Sequence, residues 1–404
     1  MGKRRLTRRG EVIARTVDVT ERRSKRRAGR DLVRDRHGSI APIVPRSSLP
    51  GLLTIAAMTL TITLCSPGCK SSSTDPGPAT SRRSYAMGFS GTPPRIDVTV
   101  AIAAIDMWSK RAEAGMIAQS PPWDSLLAGI TPETLVARDL LPLANYYRSK
   151  GLSLWLYLDP ANGLDRTGEA DALVAAHRSI TEPSIQAIFR RFAVVADSIL
   201  KPAHCGLALE TNLIRTASSA SLYAAVKQVA NDAAADLRAR GTTAKLSVSV
   251  QVDHAWGNAR GPYAGIAPDL ADFPFIEELG LSSYPYLAGF TAPEQLPADY
   301  YSRLLAGTTL TAAVTEGGWN SATVGAVTSS PELQRRYLVR QATLLDNAHA
   351  TAVFQLMFTD LDIPSLDLPQ GSILPYFAFN GLVDVHLAPK PALAVWDSLY
   401  ALPR

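Results

Sequence analysis

A chain of 404 residues that is 46% hydrophobic is long enough for one barrel-sized domain plus an accessory segment, or for two domains, and apolar enough for a large core. Its formal charge of +5 is unevenly placed: residues 1–48 hold 15 Lys and Arg against 5 Asp and Glu, and residues 49–404 hold 26 against 31. The body is therefore mildly acidic, which argues against a nucleic-acid-binding face there, and an Arg-rich tail with few apolar residues reads as disordered.

Residues 49–64, LPGLLTIAAMTLTITL, form an uncharged apolar run of 16 residues. A spanning helix needs roughly 20, so the run suits the apolar core of a secretory signal better than a membrane span. CSPGCKSSSTDPGPATS follows, a cysteine-bearing junction and then a Ser/Pro/Gly linker over 70–84. This resembles a bacterial lipoprotein signal over 49–69, which implies lipidation at Cys69, because Gly68 precedes it, and a membrane-anchored, exported body. Cys65 is the weaker candidate, since Leu64 is bulky for a cleavage site. The 48 residues upstream are too long for an ordinary signal start, so either translation begins further in, near Val44, or the segment is a signal anchor with a cytoplasmic arm. The body then keeps only Cys205, which leaves no cysteine pair for a disulfide or a Cys-based metal site.

From residue 85 to 404, short apolar runs alternate with amphipathic stretches, the pattern of a parallel sheet covered by helices. The expected strands are YAMGFS (85–90), AGMIAQ (114–119), LSLWLYLDP (152–160), CGLALE (205–210), KLSVSVQVD (245–253), LGLSSYPY (279–286), LTAAVTE (310–316) and TAVFQLMF (351–358). Between them helices are expected over 131–151, with Thr131 as N-cap, over 218–241, with Leu222, Val226, Val229, Ala233 and Leu237 on one face, and over 330–348; PALAVWDSLYAL closes the chain. Eight such units match a (β/α)8 TIM barrel, with an open doubly wound sheet as the alternative. GFSGTPPRID after the first strand lacks the spacing of a dinucleotide or phosphate loop, so no nucleotide cofactor is expected.

In a barrel the chemistry lies at the carboxyl ends of the strands, and the residues there are polar and aromatic. They are Trp123, Asp159, Glu210 with Asn212, Asp253 with Trp256, Tyr284 with Tyr286, Glu316 with Trp319, and Phe358. Glu210 ends strand 4 and Glu316 ends strand 7. Two carboxyls flanking a glycosidic bond are the minimal kit for its hydrolysis, one giving a proton and the other acting as nucleophile or base. Either Glu taken alone could equally pair with an Arg or cap a helix. Tyr284, one strand away from Glu316, could donate a hydrogen bond to it. The three tryptophans suggest a wall for sugar rings, although any one of them could be core packing. No HExxH pair, calcium loop or nucleophile elbow is present, so neither a metal nor a cofactor is expected.

These features resemble the clan A glycoside hydrolases, and most closely the family 53 endo-β-1,4-galactanases and related bacterial lipoproteins. The likeness rests on MGFSGTPP, PPWDSLLAG, SSYPYL, TEGGW and the ending GLVDVHLAPKPALAVW, over about residues 85–400. It implies Glu210 as acid/base, Glu316 as nucleophile, Tyr284 as its partner, and a polysaccharide or oligosaccharide substrate. The clan's Asn before the acid/base is replaced by Leu209, leaving Asn212 as the nearest amide, and its strand 8 Trp is replaced by QLMF. A non-catalytic carbohydrate-binding barrel is the alternative function, and a structural lipoprotein is a third. Oligomeric state is not expressed in the sequence.

Overall fold

The structure, a computed structural model, describes residues 82–368 and 370–404. The basic tail, the signal-like run, Cys69 and most of the linker lie outside the described residues.

Eight parallel strands close on themselves in chain order: β1 (Ala86–Ser90), β2 (Ala114–Gln119), β3 (Ser153–Leu158), β4 (His204–Gly206), β5 (Lys245–Gln251), β6 (Glu278–Ser283), β7 (Thr311–Gly317) and β8 (Ala352–Gln355), with β8 pairing back onto β1. The (β/α)8 barrel is thus the observed fold. The longer covering helices are α1 (Val98–Trp108), α2 (Leu141–Ser149), α3 (Pro183–Leu200), α4 (Thr211–Ala217), α5 (Ala220–Ala239), α6 (Pro331–Asn347) and α7 (Pro391–Tyr400). Several start where a side chain satisfies the free N–H groups of the first turn: Asp97 accepts from Thr99 and Val100, Ser219 from Leu222, and Ser330 from Leu333.

Period-two alternation along the strands sends one set of side chains into the barrel and the other outward against the helices. The inward set is Met116, Trp155, Tyr157, Leu209 and Phe354 with small residues at Ala114, Ala313 and Ala352, so the lumen is a packed core. Tyr157 needs glycines around it: a Cβ on Gly206 would stand 2.2 Å from its ring, and one on Gly280 would stand 2.7 Å from its hydroxyl. Its hydroxyl meets Ser247 Oγ at 2.8 Å, which satisfies both groups in the buried floor.

Two expected elements differ in detail. The helix expected over 131–151 starts at the expected cap, where Thr131 accepts from Thr134 N–H at 3.3 Å, but it is interrupted by a π-turn over Val136–Leu140. Pro142, which has no N–H to donate, stands just beyond the turn. The fourth strand is only three residues long, and Leu207–Glu210 runs on as extended chain beside β5, tied by Leu207 N–H to Ser247 O and Ser249 N–H to Ala208 O, each at 3.0 Å.

Candidate active site

Glu210 stands at the N-cap of α4 with φ 49° and ψ 46°, a left-handed conformation that costs a residue with a Cβ on the order of 1–2 kcal/mol. Its backbone N–H donates to Ser249 Oγ at 2.9 Å, which holds the turn in place. The turn aims the carboxylate into the barrel mouth, where Oε1 accepts from Ser282 Oγ at 2.7 Å and Oε2 accepts from Arg166 Nε at 2.8 Å. Glu316 arrives differently. The β6–β7 register jumps from Leu281↔Val314 to Ser282↔Glu316, an irregularity that sets Glu316 beside the serine bonded to Glu210. Tyr284 Oη donates to Glu316 Oε1 at 2.7 Å.

Arg166, which sequence reasoning did not single out, joins the site together. Its loop is shaped locally: Asp159 Oδ1 accepts from Ala161 N–H at 3.1 Å, Asn162 Oδ1 accepts from Leu164 and Asp165 N–H at 2.9 and 3.0 Å, and Ala161 bridges Glu169. The guanidinium, buried, bonds Glu210 through Nε and pairs with Asp159 through Nη1, which also donates to Asn162 O at 3.0 Å. Burial opposes its charge, but Asp159, Glu210 and Glu316 together more than offset that and keep it protonated. Asp159 is raised by burial, against the pull of Arg166. Glu316 is pushed up to about 7 by burial and by the Glu210 charge, while Arg166 and the Tyr284 hydroxyl pull it down. Glu316, raised by burial and by its neighbour's charge, thus shares a cleft with Glu210, whose carboxyl is bonded to a guanidinium.

Asp253 lies one layer behind. It is fully buried, accepts Tyr284 N–H at 2.8 Å and Gln251 Nε2 at 2.9 Å, and takes the Tyr300 hydroxyl on its other oxygen. Burial raises it to about 6, against the bonds from Tyr300 and from the Tyr284 N–H. It therefore fixes Tyr284 from behind and does not face the cleft.

Several expected contacts are not brought to the mouth. Asn212 is fully buried, with Nδ2 donating to Gln251 O at 2.9 Å and Oδ1 accepting Gln251 N–H at 2.8 Å, so its amide is spent on the β5 backbone and cannot stand in for the missing Asn. Leu209 lines the cleft in that place. Trp319 is buried between Tyr286 and Tyr337 with its N–H on Ser329, and Trp123 is 1% exposed in the core. Trp256 packs on Tyr300 and Tyr263 with its N–H on Tyr300 O. Phe358 is buried against Phe89 under the Arg111 guanidinium. Tyr286 Oη donates to Tyr376 O and accepts from Asn380, each at 3.0 Å. The expected aromatic wall is thus absorbed into packing: the turn past a strand end can face the helix layer as readily as the mouth, and residue order does not show which.

What remains at the mouth is a cleft of about 710 Å³ lined by Asp159, Arg166, Glu210, Gln251, Tyr284 and Glu316 together with Gln119, Ser120, Leu209 and a set of aliphatic loop residues. A second cavity of about 440 Å³ shares Thr92, Pro93, Ala118, Leu209, Glu316 and Leu356 with it. Among the described residues no cluster of three or more His, Cys, Asp or Glu has metal-holding geometry.

Solved structures share this architecture. An exo-β-1,4-mannosidase from Opitutaceae bacterium strain TAV5 superposes with a TM-score of 0.57 at 16% identity, covering 79% of this chain and 59% of that one. A GH5_18 protein from Streptomyces cattleya in complex with Manβ1-4GlcNAc gives 0.55 at 17% identity, covering 79% and 83%. A Bacteroides uniformis β-glucuronidase gives 0.52 at 13% identity and covers 78% of this chain, which spans only 35% of that enzyme's length. The barrel is one that glycosidases also use. No protein-family model matches the chain, and no curated protein does. At these identities the likeness establishes the fold, and the chemistry rests on the site itself.

Proposed function

We propose that the chain is a retaining glycoside hydrolase that uses Glu210 and Glu316 and no cofactor. The observation that carries this is the pair itself: two carboxyls from beyond β4 and the end of β7 share one cleft, Glu210 held by Ser282 and Arg166 and Glu316 by Tyr284. One carboxyl protonates the leaving oxygen, the other forms a glycosyl intermediate, and water releases the sugar with the first carboxyl now acting as base. By position in the clan, Glu210 is the acid/base and Glu316 the nucleophile, with Tyr284 orienting the latter. In that assignment Glu316 attacks as the carboxylate and Glu210 gives the proton to the leaving oxygen. The reversed assignment is the second reading, and Arg166 on Glu210 favours it.

Solved relatives of this fold act on β-mannosides and β-glucuronides by their titles, and the sequence motifs favour β-1,4-galactan, so all three belong in the test. Wild type and Glu316→Ala are assayed side by side on galactan, mannan, glucuronide and glucan substrates. Cleavage by wild type that falls by about 10³-fold or more in the variant supports the reading. Binding of a saccharide without cleavage by either protein sinks it in favour of a carbohydrate-binding barrel. We further propose that the chain is exported and lipid-anchored at Cys69, which metabolic labelling with a fatty acid, absent in Cys69→Ala, would register.

A further inference from the structure

We infer that the cleft takes an amphiphilic glycoside: a sugar at the carboxylate end and an aliphatic group along the loop wall as the leaving side of the bond. The inference rests on the hydrolase reading for its sugar end and on separate observations for its apolar end.

The carboxylates of the cleft and the groups bonded to them, Arg166 and Tyr284, are gathered past the ends of β3, β4, β6 and β7, and further polar groups stand on the lining at Arg95, Gln119, Asp165 and Gln251. On the side of α4 and of the chain beyond β8 the wall is mainly aliphatic, with Leu213 from the first turns of α4 and Leu356, Leu361, Leu366 and Leu374 from the chain beyond β8. A second sugar ring there would bury hydroxyls against methyl groups with no partner, at a cost on the order of 1–3 kcal/mol for each unpaired hydroxyl. The aromatic residues on the lining are Tyr284, which is bonded to Glu316, and Phe377, packed edge-to-face on Tyr284, while Trp123 and Trp319 near the strand ends are buried in the core.

The rim repeats the pattern. Among the described residues seven large hydrophobics are exposed, and four of them line this one cleft: Ile96 at 42%, Leu164 at 49%, Leu287 at 38% and Ile373 at 42%. They come from the loops after β1, β3, β6 and β8, so the mouth is ringed from separate parts of the chain. Scattered exposed aliphatics need no explanation, but a group gathered around one concave site marks a ligand surface. A flexible alkyl or acyl chain is the occupant that aliphatic walls of this kind match, because it buries area without presenting polar atoms.

The test measures binding, so that it stands apart from turnover. Titration calorimetry on the full chain carrying Glu316→Gln compares methyl, butyl and octyl β-glycosides of galactose, glucose and mannose, below micelle formation, with a sugar-free octyl tetraethylene glycol ether as control. The expected result is a Kd that tightens about two- to fourfold per added methylene, with the ether weaker than the octyl glycoside of the preferred sugar. The double variant Ile96→Ser/Ile373→Ser, changed only at exposed positions, is expected to shrink the octyl-to-methyl ratio at least fivefold. Equal Kd values across chain length, no binding of any octyl glycoside, or an ether as tight as the glycosides would each overturn the inference. Turnover by wild type with a flat chain-length series leaves the hydrolase standing and this inference refuted; a steep series without turnover does the reverse.

Discussion

Glu316 carries the clearest electrostatic signature of the site. Burial and the Glu210 charge lift it from 4.5 to about 7 in the folded chain, so between those values the folded state binds more protons than the unfolded one. The stability associated with that proton is fully present below about 4.5 and is lost as pH rises through 7. Glu316→Gln cannot ionise, so its Tm relative to wild type is expected to rise between pH 5 and pH 8; a difference that stays constant contradicts the assignment. Arg166→Met should act in two ways. It leaves Asp159 and Glu210 as buried carboxylates without their cation, at a cost of about 3–5 kcal/mol in denaturant unfolding, and it removes a charge that holds Glu316 down, moving the corresponding limb of the pH–rate profile above 7. Both glutamates and Tyr284 were legible in the sequence because strand ends in a barrel point one way. Arg166 was not, because it lies in a loop seven residues past Asp159, where a polar residue is unremarkable until Asn162 and Ala161 fold the loop back. Asn212 misled for a related reason: two positions after a site residue, the first turn of α4 faces β5.

At the scale of elements, the site depends on two departures from regular structure, the left-handed residue between β4 and α4 and the register jump in β7. Asn212 holds the first in place by clasping both backbone groups of Gln251. Asn212→Ala therefore leaves a buried N–H and C=O unpaired, and is expected to cost about 2–4 kcal/mol by denaturant midpoint while lowering kcat, since Glu210 loses its fixed approach. An unchanged midpoint would show that the tether does not hold the turn. Apolar runs located all eight strands, since each needs a buried stretch between turns. They overran the ends of β3, β5 and β6 by two or three residues and those of β4 and β8 by four and three, where hydrophobicity continues although the ladder stops, as with the Leu207–Leu209 stretch packed beneath the mouth. The π-turn near Pro142 and the helices α1 and α3 were not separated from their surroundings by composition alone.

At the scale of the whole described fold, closure of the barrel leaves its eight strands no free sheet edge, and the cleft lies among the loops at one end. The chain before the last helix is pinned to that face by Lys390, part-buried, whose ammonium bonds Asp360 and Ser321 Oγ at 2.6 and 2.8 Å. Lys390→Met strands Asp360 without its partner, and a loss of about 3–5 kcal/mol in unfolding free energy is expected. The barrel and the convergence of Glu210 and Glu316 on one cleft were readable from the strand ends, whereas the apolar character of the cleft was not, because its aliphatic residues come from loops far apart in sequence and resemble ordinary core until the fold turns them to the mouth. The central claim is that Glu316 attacks the sugar while Glu210 moves the proton. A panel of 2-deoxy-2-fluoroglycosyl fluorides, followed by peptide mass spectrometry, addresses it most directly. The expected result is one covalent sugar on Glu316 with loss of activity in step with labelling; a label on Glu210, or inactivation with no label on either glutamate, would contradict it.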